Sequence, residues 1–253
     1  MSTRLLPSAL IVPALLVLLW ELAGSYSPWA GALKPILSAP SVIGLDAWRL
    51  ALSGDLFVHI GSSLIRVLGG FSAALLIAVP IGVLIGVYSL ADDLLDPVLE
   101  FLRPIPPPAW IPLGILWFGI GNAQNMFIIF LGAFFPIALN TIAGVRACDP
   151  LLASAALTLG GSKRQIVTEI VLPASIPAIL TGIRVGLGMG WMALVAAELV
   201  AGRSGLGFLI QSSRYALLTE RIFVGMIMIG LLGLAMDAGM RYVQKQFTGW
   251  NER

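Results

Sequence analysis

Two charged side chains, Arg184 and Glu198, lie within one long apolar stretch of the sequence. A charge inside a membrane is costly, so such residues are candidates for a substrate pathway. In a helix they would be about 21 Å apart along the axis and could not pair with each other. Arg184 either attracts an anionic substrate or anchors the helix by reaching the interface. Glu198 is interpreted as a brace for the outer gate or a neighbouring helix, because a carboxylate repels an anion. Trp191, between them, is a third pathway candidate, although tryptophan there is typical of an interfacial anchor.

Other side chains offer little reactive chemistry. His59 is the single histidine and has no second histidine or cysteine near it, so no metal site is predicted. Cys148 is the single cysteine, which excludes an intrachain disulfide and suits a small apolar filler. Asp237 and Arg241 are four residues apart and are predicted to form a structural pair on one helix face. Because catalysis needs a set of facing reactive groups, no catalytic residue and no enzyme activity are predicted.

Residues 146–176 indicate a different kind of site, since charged side chains there stand among small and apolar ones. We predict that Ser154-Ala155-Ala156 begins a short helix and that Gly160-Gly161 breaks it. Ser162 then caps a second helix, which ends at Pro173. Two short amphipathic helices joined by a glycine turn form a knob suited to a groove in a partner protein.

The composition around these residues is that of a membrane protein. Of the 253 residues 58% are hydrophobic and 11% are charged, and the mean hydropathy is +0.95. Soluble domains carry roughly 25% charged residues, because their surfaces face water. The net charge of +2, without a long basic run, argues against a nucleic-acid partner. We therefore predict an all-α polytopic membrane helix bundle.

About six apolar stretches approach the roughly 17–25 residues that a membrane span requires. They lie near residues 8–24, 64–88, 98–119, 125–145, 177–200 and 222–241. The third contains the proline-rich run from Arg103 to Pro108, so we expect a kinked or partly unwound segment there. Between the first two stretches, Ser41 and Ser53-Gly54 are start and stop signals for a short helix on the outer face.

The first stretch follows Arg4 and leaves two interpretations. It is either a signal peptide cleaved near Ala30-Gly31-Ala32 or an uncleaved first helix. Its length, with Trp20 and Glu21 near the outer end, favours the uncleaved helix. We accordingly divide the chain into residues 1–58, with this helix and the external connecting helix, and residues 59–253, with the transmembrane core.

Small residues recur at every fourth position in two stretches. Gly82 and Gly86 share one helix face, and Gly182, Gly186 and Gly190 share another. Such faces let helix backbones approach closely in lipid, where dispersion drives the packing. They indicate either packing within one chain or a subunit interface around a pathway. The sequence leaves both interpretations open.

The basic residues give a weak orientation. With the N-terminus inside, eight are cytoplasmic and six lie outside or at the outer edge. The cytoplasmic group is Arg4, Arg103, Arg146, Lys163, Arg164, Arg241, Lys245 and Arg253, and the other group is Lys34, Arg49, Arg66, Arg203, Arg214 and Arg221.

One spacing in residues 146–176 resembles a known motif. Ser154-Ala155-Ala156 is followed by three residues, Gly160, nine residues and Ile170-Val171-Leu172-Pro173. This resembles the EAA loop of ABC importer permeases, whose pattern is Glu-Ala-Ala, three residues, Gly, nine residues, Ile-x-Leu-Pro. Every spacing matches. Ser154 departs from the glutamate of the family, which puts in doubt any ion pair or cap made by that carboxylate.

The resemblance extends from about His59 to Trp250. The runs Pro104–Pro112 and Trp117–Gly121, together with Ala196-Ala197-Glu198, resemble the branch of these permeases that serves taurine, alkanesulfonates, nitrate and bicarbonate. The Trp117–Gly121 run is more similar to the taurine and sulfonate members than to the nitrate members. The resemblance thus implies transport of a small oxyanion.

The resemblance also implies a fold and partners. The fold is a type I importer bundle of about six transmembrane helices with a cytoplasmic coupling helix. Two permease copies would stand on two cytoplasmic ATPase subunits in the bacterial inner membrane, and a periplasmic or lipid-anchored binding protein would deliver substrate. The coupling contacts would be made by Ser154, Ala155, Ala156, Gly160, Gly161, Ile170, Leu172 and Pro173. This places the loop, and with it the N-terminus, in the cytoplasm.

The chain has no phosphate-binding loop of its own, because Gly160-Gly161-Ser162-Lys163 has the residues of one in the wrong order. The energy source would therefore be ATP and Mg²⁺ on the partner ATPase, and this chain would carry no cofactor.

Two other function classes fit the sequence less well than a permease does. A secondary transporter driven by an ion gradient usually shows internal repeats and ion-binding carboxylates within the membrane, and no convincing repeat is present. An intramembrane enzyme would need a paired serine and histidine or two facing carboxylates. The permease is favoured, with the secondary transporter as the alternative.

Overall fold

The computed structural model of the protein describes residues 6–26 and 38–248, and in these ranges it contains helices and connections but no strand. The elements are α1 (Leu6–Tyr26), α2 (Pro40–Ser53), α3 (Asp55–Val87), α4 (Ser89–Leu102), a 3₁₀ turn (Pro107–Trp110), α5 (Ile111–Phe118), α6 (Asn122–Arg146), α7 (Pro150–Thr158), α8 (Lys163–Gln165), a π-helical turn (Ile166–Val171), α9 (Leu172–Ala201), α10 (Leu206–Tyr215) and α11 (Thr219–Thr248). The predicted all-α class is confirmed. Arg4, Ala30-Gly31-Ala32, Lys34, Trp250 and Arg253 lie outside the described residues.

Four helical segments of the described part are long and apolar enough to cross a membrane. They are α3, α6, the segment Lys163–Tyr215 that contains α9, and a segment of α11. The predicted span at 8–24 is covered by α1, which has 21 residues. The predicted connecting helix is α2, and it ends where Gly54 adopts a φ of 86°.

The predicted third span, residues 98–119, is not one continuous helix. α4 ends at Leu102, and the chain continues through the 3₁₀ turn into α5, which has only 8 residues. A helix of that length is about 12 Å long, well short of a membrane core. The prolines between Arg103 and Pro108 remove backbone donors, and Pro106, which precedes another proline, is extended with a ψ of 138°. The expectation of a partly unwound segment is therefore correct, and the expectation of a single span there is wrong.

The chain divides into two compact units. The first comprises Met1–Ser62 and Ser204–Gly230. Its core contains the buried apolar residues Ile43, Leu50, Leu56, Leu209 and Val224. The indole of Trp20 lies on the ring of Phe223 with centroids 5.2 Å apart, and Arg221 binds Asp46 at 3.3 Å.

The second unit comprises Ser63–Arg203 and Leu231–Arg253. In it α6 packs against both α3 and α9. A Cβ atom on Gly82 of α3 would lie 2.9 Å from the carbonyl oxygen of Ala138, and one on Gly186 of α9 would lie 2.9 Å from that of Ala133. Real Cβ contacts are not that short, so these crossings need glycine. The helices meet backbone to backbone, as membrane helices with small residues at every fourth position do.

Both glycine faces are thus occupied within one chain. Gly82 and Gly86 face α6, and so do Gly182, Gly186 and Gly190. Of the two interpretations left open by the sequence, packing within one chain is the correct one for these faces. They cannot serve as the argument for a second permease copy, because the surface is already used.

Candidate functional site

Residues 146–176 contain two helical pieces joined by a glycine turn. The first is α7, which begins at Pro150 with Asp149 as its N-cap; the Oδ1 atom of Asp149 accepts the N–H of Leu151 at 2.8 Å. The prediction that Ser154-Ala155-Ala156 begins this helix is wrong, because these residues lie in its middle. Asp-Pro is the stronger start signal, since the carboxylate satisfies a free N–H and proline has the helical φ at the first position. The Oγ atom of Ser154 donates to the carbonyl of Pro150 at 2.9 Å.

The turn after α7 depends on Gly160. Its φ of 85° lies in the left-handed region, which disfavours residues with a Cβ atom. The N–H of Gly161 donates to the carbonyl of Ala156 at 2.9 Å, and the N–H of Gly160 donates to that of Leu157 at 3.0 Å. These two bonds form a Schellman motif with Gly160 at its left-handed position. A Cβ atom on Gly160 would have nothing within 4 Å, so backbone conformation and not close approach requires glycine there.

The second helical piece begins with a capping box. The Oγ atom of Ser162 accepts the N–H of Gln165 at 3.3 Å, and the Oε1 atom of Gln165 accepts the N–H of Ser162 at 2.9 Å. The two bonds satisfy donors that the helix itself leaves free. The prediction of Ser162 as the cap is confirmed.

The sequence predicted that the second piece ends at Pro173, and this prediction is wrong. α8 runs into the π-helical turn, where the N–H of Leu172 donates to the carbonyl of Val167, five residues back, and α9 then begins with Pro173 in its first turn. Proline is tolerated at the start of a helix because its missing N–H is not needed there. The π-helical turn therefore lets the helix continue into the span.

The surface of α7 is apolar and open. α7 has no buried residue, and Leu151 in its first turn and Leu159, its C-cap, expose 71% and 89% of their surfaces. Lys163 and Arg164 begin the second helical piece after the glycine turn, so apolar and basic groups are combined on one small feature. An exposed apolar patch with a polar rim is typical of a protein-binding surface. The arrangement suits a short helix that lies in a groove of another protein.

Arg184 and Trp191, two of the predicted pathway residues, line one small cavity of about 60 Å³ in the second unit. The Nε atom of Arg184 donates to the Oδ1 atom of Asp237 at 2.6 Å, and Arg241 binds the other carboxylate oxygen at 2.7 Å. The predicted pair of Asp237 and Arg241 is thus confirmed, with Arg184 as an additional partner. The cavity is far smaller than ligand pockets of roughly 300–1,000 Å³.

Glu198, the third predicted pathway residue, lies in a separate polar cluster. Its Oε1 atom accepts a hydrogen bond from Nη1 of Arg66 at 2.7 Å, and Ser63 donates to its two oxygens at 2.9 and 3.0 Å. The Nε atom of Arg66 donates to Oδ1 of Asn122 at 2.7 Å. Glu198 and Arg66 are only 1% and 3% exposed. This is a buried ion pair between α3 and α9, with α6 contributing Asn122.

The sequence reasoning missed Arg66 and assigned it to the outer edge of the second stretch. α3 begins at Asp55, well before the predicted start at residue 64, so Arg66 is about three turns inside the helix. Arg66, like Arg184, therefore lies well inside a long apolar helix. The available signal was Glu198 itself, because a buried carboxylate needs a cation as partner.

The residue types that bind metals do not form a cluster in the described ranges. Residues 6–26 and 38–248 contain no group of three or more His, Cys, Asp or Glu side chains that could hold an ion. The Nδ1 atom of His59 accepts the N–H of Gly205 at 3.1 Å. That bond assigns the histidine to local structure in the first unit.

Comparison with known proteins gives consistent matches. Residues 78–249 match the family described as binding-protein-dependent transport system inner membrane component. An ABC transporter permease protein of Methanocaldococcus jannaschii is 41% identical over 252 residues, which is 99% of this chain and 94% of that protein. The taurine transport system permease protein of Escherichia coli is 38% identical over 200 residues, covering 79% and 73% of the two chains. A chain of the inward-facing MetNI methionine ABC transporter has the same fold, with a TM-score of 0.62 and 20% identity over 76% of this chain and 98% of that one.

Proposed function

Because the chain belongs to the family of binding-protein-dependent transport system inner membrane components, we propose that it forms the membrane pathway for a small oxyanion such as taurine, an alkanesulfonate or nitrate. It is a permease subunit of an ABC transporter, and the ion-driven secondary transporter is not favoured. The substrate class is supported by the likeness to the taurine permease of Escherichia coli and by the Trp117–Gly121 run. The binding protein that delivers the substrate would select it further.

The energy would come from two copies of a separate ATPase, which would hold ATP and Mg²⁺. Two permease copies would enclose one pathway in a bacterial inner membrane, since the four long apolar helices found among residues 6–26 and 38–248 are few for enclosing a pathway alone. The residues 146–176, named here the coupling loop, and the N-terminus would be cytoplasmic. Native mass measurement of the purified complex tests the copy numbers, and one permease per assembly would contradict the arrangement.

The observation that carries the proposal is the open apolar surface of α7, held by the Schellman turn at Gly160. Ser154, Ala155, Ala156 and the turn residues Gly160 and Gly161 would enter the ATPase groove. A further set (Ile170, Leu172 and Pro173) lies in the π-helical turn and the first turn of α9, where it would set the angle between the loop and the span. The spacing of seven of these residues matches the EAA pattern, and Gly161 is the first residue of its nine-residue gap.

Two substitutions at one position test this docking. Gly160→Val introduces a β-branched side chain into the left-handed region, which costs about 1–2 kcal/mol for ordinary residues, and should distort the turn. Gly160→Asn is the matched control, because asparagine tolerates that conformation. The space around position 160 is open, so a steric clash within the chain would not account for a difference between the two variants. We expect the valine variant to lose copurification with the ATPase or ATP-driven uptake, and the asparagine variant to keep both.

The measurement uses the permease coexpressed with its ATPase, followed by uptake in vesicles with the binding protein. If Gly160→Val retained full uptake and normal stimulation of ATP hydrolysis, the coupling role of the turn would be refuted.

A further inference from the structure

We propose that Arg66 and Glu198 are positioning residues for transport, which tie α3 to the end of α9 farthest from the coupling loop. The two helices then move together when the ATPase displaces that loop. This inference rests on the proposed function, since the displacement requires an ATPase partner.

The first support is the geometry of the buried pair. Glu198 accepts hydrogen bonds from Arg66 and from Ser63, both on α3, and Arg66 also donates to Asn122 at the start of α6. Three helices of the second unit therefore meet in one polar cluster. A charge-assisted bond of 2.7 Å, almost completely shielded from solvent, fixes the relative position of these helices more narrowly than apolar contact does.

The second support is the continuity of the chain from the coupling loop to Glu198. α8, the π-helical turn and α9 follow one another without a break from Lys163 to Ala201. Glu198 is therefore about 50 Å along the helix from Lys163. The close contacts of Gly182, Gly186 and Gly190 hold the part of this length nearer Glu198 against α6. A displacement at the loop would reach Glu198, and the ion pair would pass it to α3.

The third support is that stability alone does not explain a polar cluster here. Replacing a buried ion pair by apolar groups is often neutral or stabilising, because desolvation offsets the attraction. Gln124 and Asn125, in the same turn of α6 as Asn122, are fully buried, and their side-chain nitrogen and oxygen atoms have no hydrogen-bond partner in the described part of the chain. Unpaired buried amides are destabilising. The junction of these helices is thus polar although this lowers the stability of the fold, which is consistent with a role in conformational change.

The test compares single and paired substitutions in the full complex. Arg66→Met and Glu198→Gln each leave one buried group without its charged partner, so we expect a low yield of assembled complex. The double variant removes both charges, and glutamine keeps an acceptor for Ser63, so assembly should recover. If the pair had only a structural role, transport by the double variant would then recover as well. With positioning residues it would not, and we expect taurine uptake per ATP hydrolysed to stay reduced about tenfold.

A second readout does not depend on the substrate. Spin labels at Leu76 of α3 and Met192 of α9, both exposed, report the distance between the two helices in a Cys148→Ser background. We expect this distance to be the same with and without ATP and vanadate in the wild-type complex, and to shift on nucleotide binding in the double variant. The matched control is Arg221→Met with Asp46→Asn, which removes an ion pair of the first unit and should change neither readout.

The outcomes separate the two proposals. If the double variant showed wild-type uptake per ATP hydrolysed and an unchanged distance, the positioning role would be overturned. ATP-driven uptake by the wild-type complex in the same experiment would leave the proposed function in place. A wild-type permease that forms no complex with the ATPase would overturn both.

Discussion

At the scale of single residues, the two charges predicted inside the fifth apolar stretch both have partners on other helices. Arg184 was predicted to attract an anion or to anchor its helix, and it binds Asp237 on α11. Glu198 was predicted to brace a gate or a neighbouring helix, and it binds Arg66 on α3. Both are inter-helix contacts, which a single apolar stretch cannot reveal. Their transport roles remain predictions.

The group around Asp237 allows a test of Arg184. In Arg184→Ala, Asp237 keeps its contact with Arg241, so we expect normal assembly. In Asp237→Asn, two arginines lose their common carboxylate and repel each other, so we expect a greater loss of thermal stability in detergent.

Uptake in vesicles, measured beside assembly, then decides the role of Arg184. Reduced uptake by an assembled Arg184→Ala complex would place this residue in the anion pathway. Unchanged uptake, or failed assembly, would remove it from the pathway and leave selectivity with the binding protein.

At the scale of elements, glycine has two different functions in this chain. Gly160 provides a left-handed backbone in the coupling loop, with open space around it. Gly186 provides a close helix crossing, with an ordinary helical backbone. The first function controls the shape of a surface for a partner, and the second controls the packing of α6 with α9.

A matched pair on α9 tests the packing function. In Gly186→Val the new side chain would meet Ile137 and the carbonyl of Ala133, whereas Gly188→Val adds the same side chain where nothing lies within 4 Å. Overpacking of a well-filled core costs about 1–3 kcal/mol. We therefore expect Gly186→Val to lower the melting temperature of the purified permease and Gly188→Val to leave it nearly unchanged. Equal effects of the two would indicate that helix propensity, and not the crossing, is responsible.

At the scale of the whole molecule, the proposed orientation places the coupling loop in the cytoplasm and α2 outside. Cys148, the single cysteine, lies in the loop and is partly exposed. We expect a membrane-impermeant maleimide to label it in inside-out vesicles but not in intact cells. Leu52→Cys in a Cys148→Ser background, on the exposed face of α2, should show the opposite pattern. Labelling of Cys148 from outside intact cells would reverse the proposed topology.

The sequence by itself determined the class of the protein and the place of the coupling loop. Charge content and the length of apolar stretches predict membrane helices because lipid admits few exposed charges and requires internally satisfied backbones. The loop could be found because its determinants are local: Gly160, Ser162 and the spacing to Pro173 depend on turn and cap chemistry within a few residues. The start of α7 at Pro150 follows from Asp149-Pro150, which is a stronger local start signal than Ser154.

Only the tertiary structure decided which helix each charged side chain within a span faces. Arg66 and Glu198 are 132 residues apart in the chain, and Arg184 and Asp237 are 53 apart. The spacing of the glycines is equally compatible with a helix crossing within the chain and with a subunit interface, since both need the same spacing. Periodicity reports the face of a helix that is small or polar, but the partner of that face depends on how separate helices pack. That choice is made by shape and by pairing of buried charges across the bundle, which no stretch of sequence contains alone.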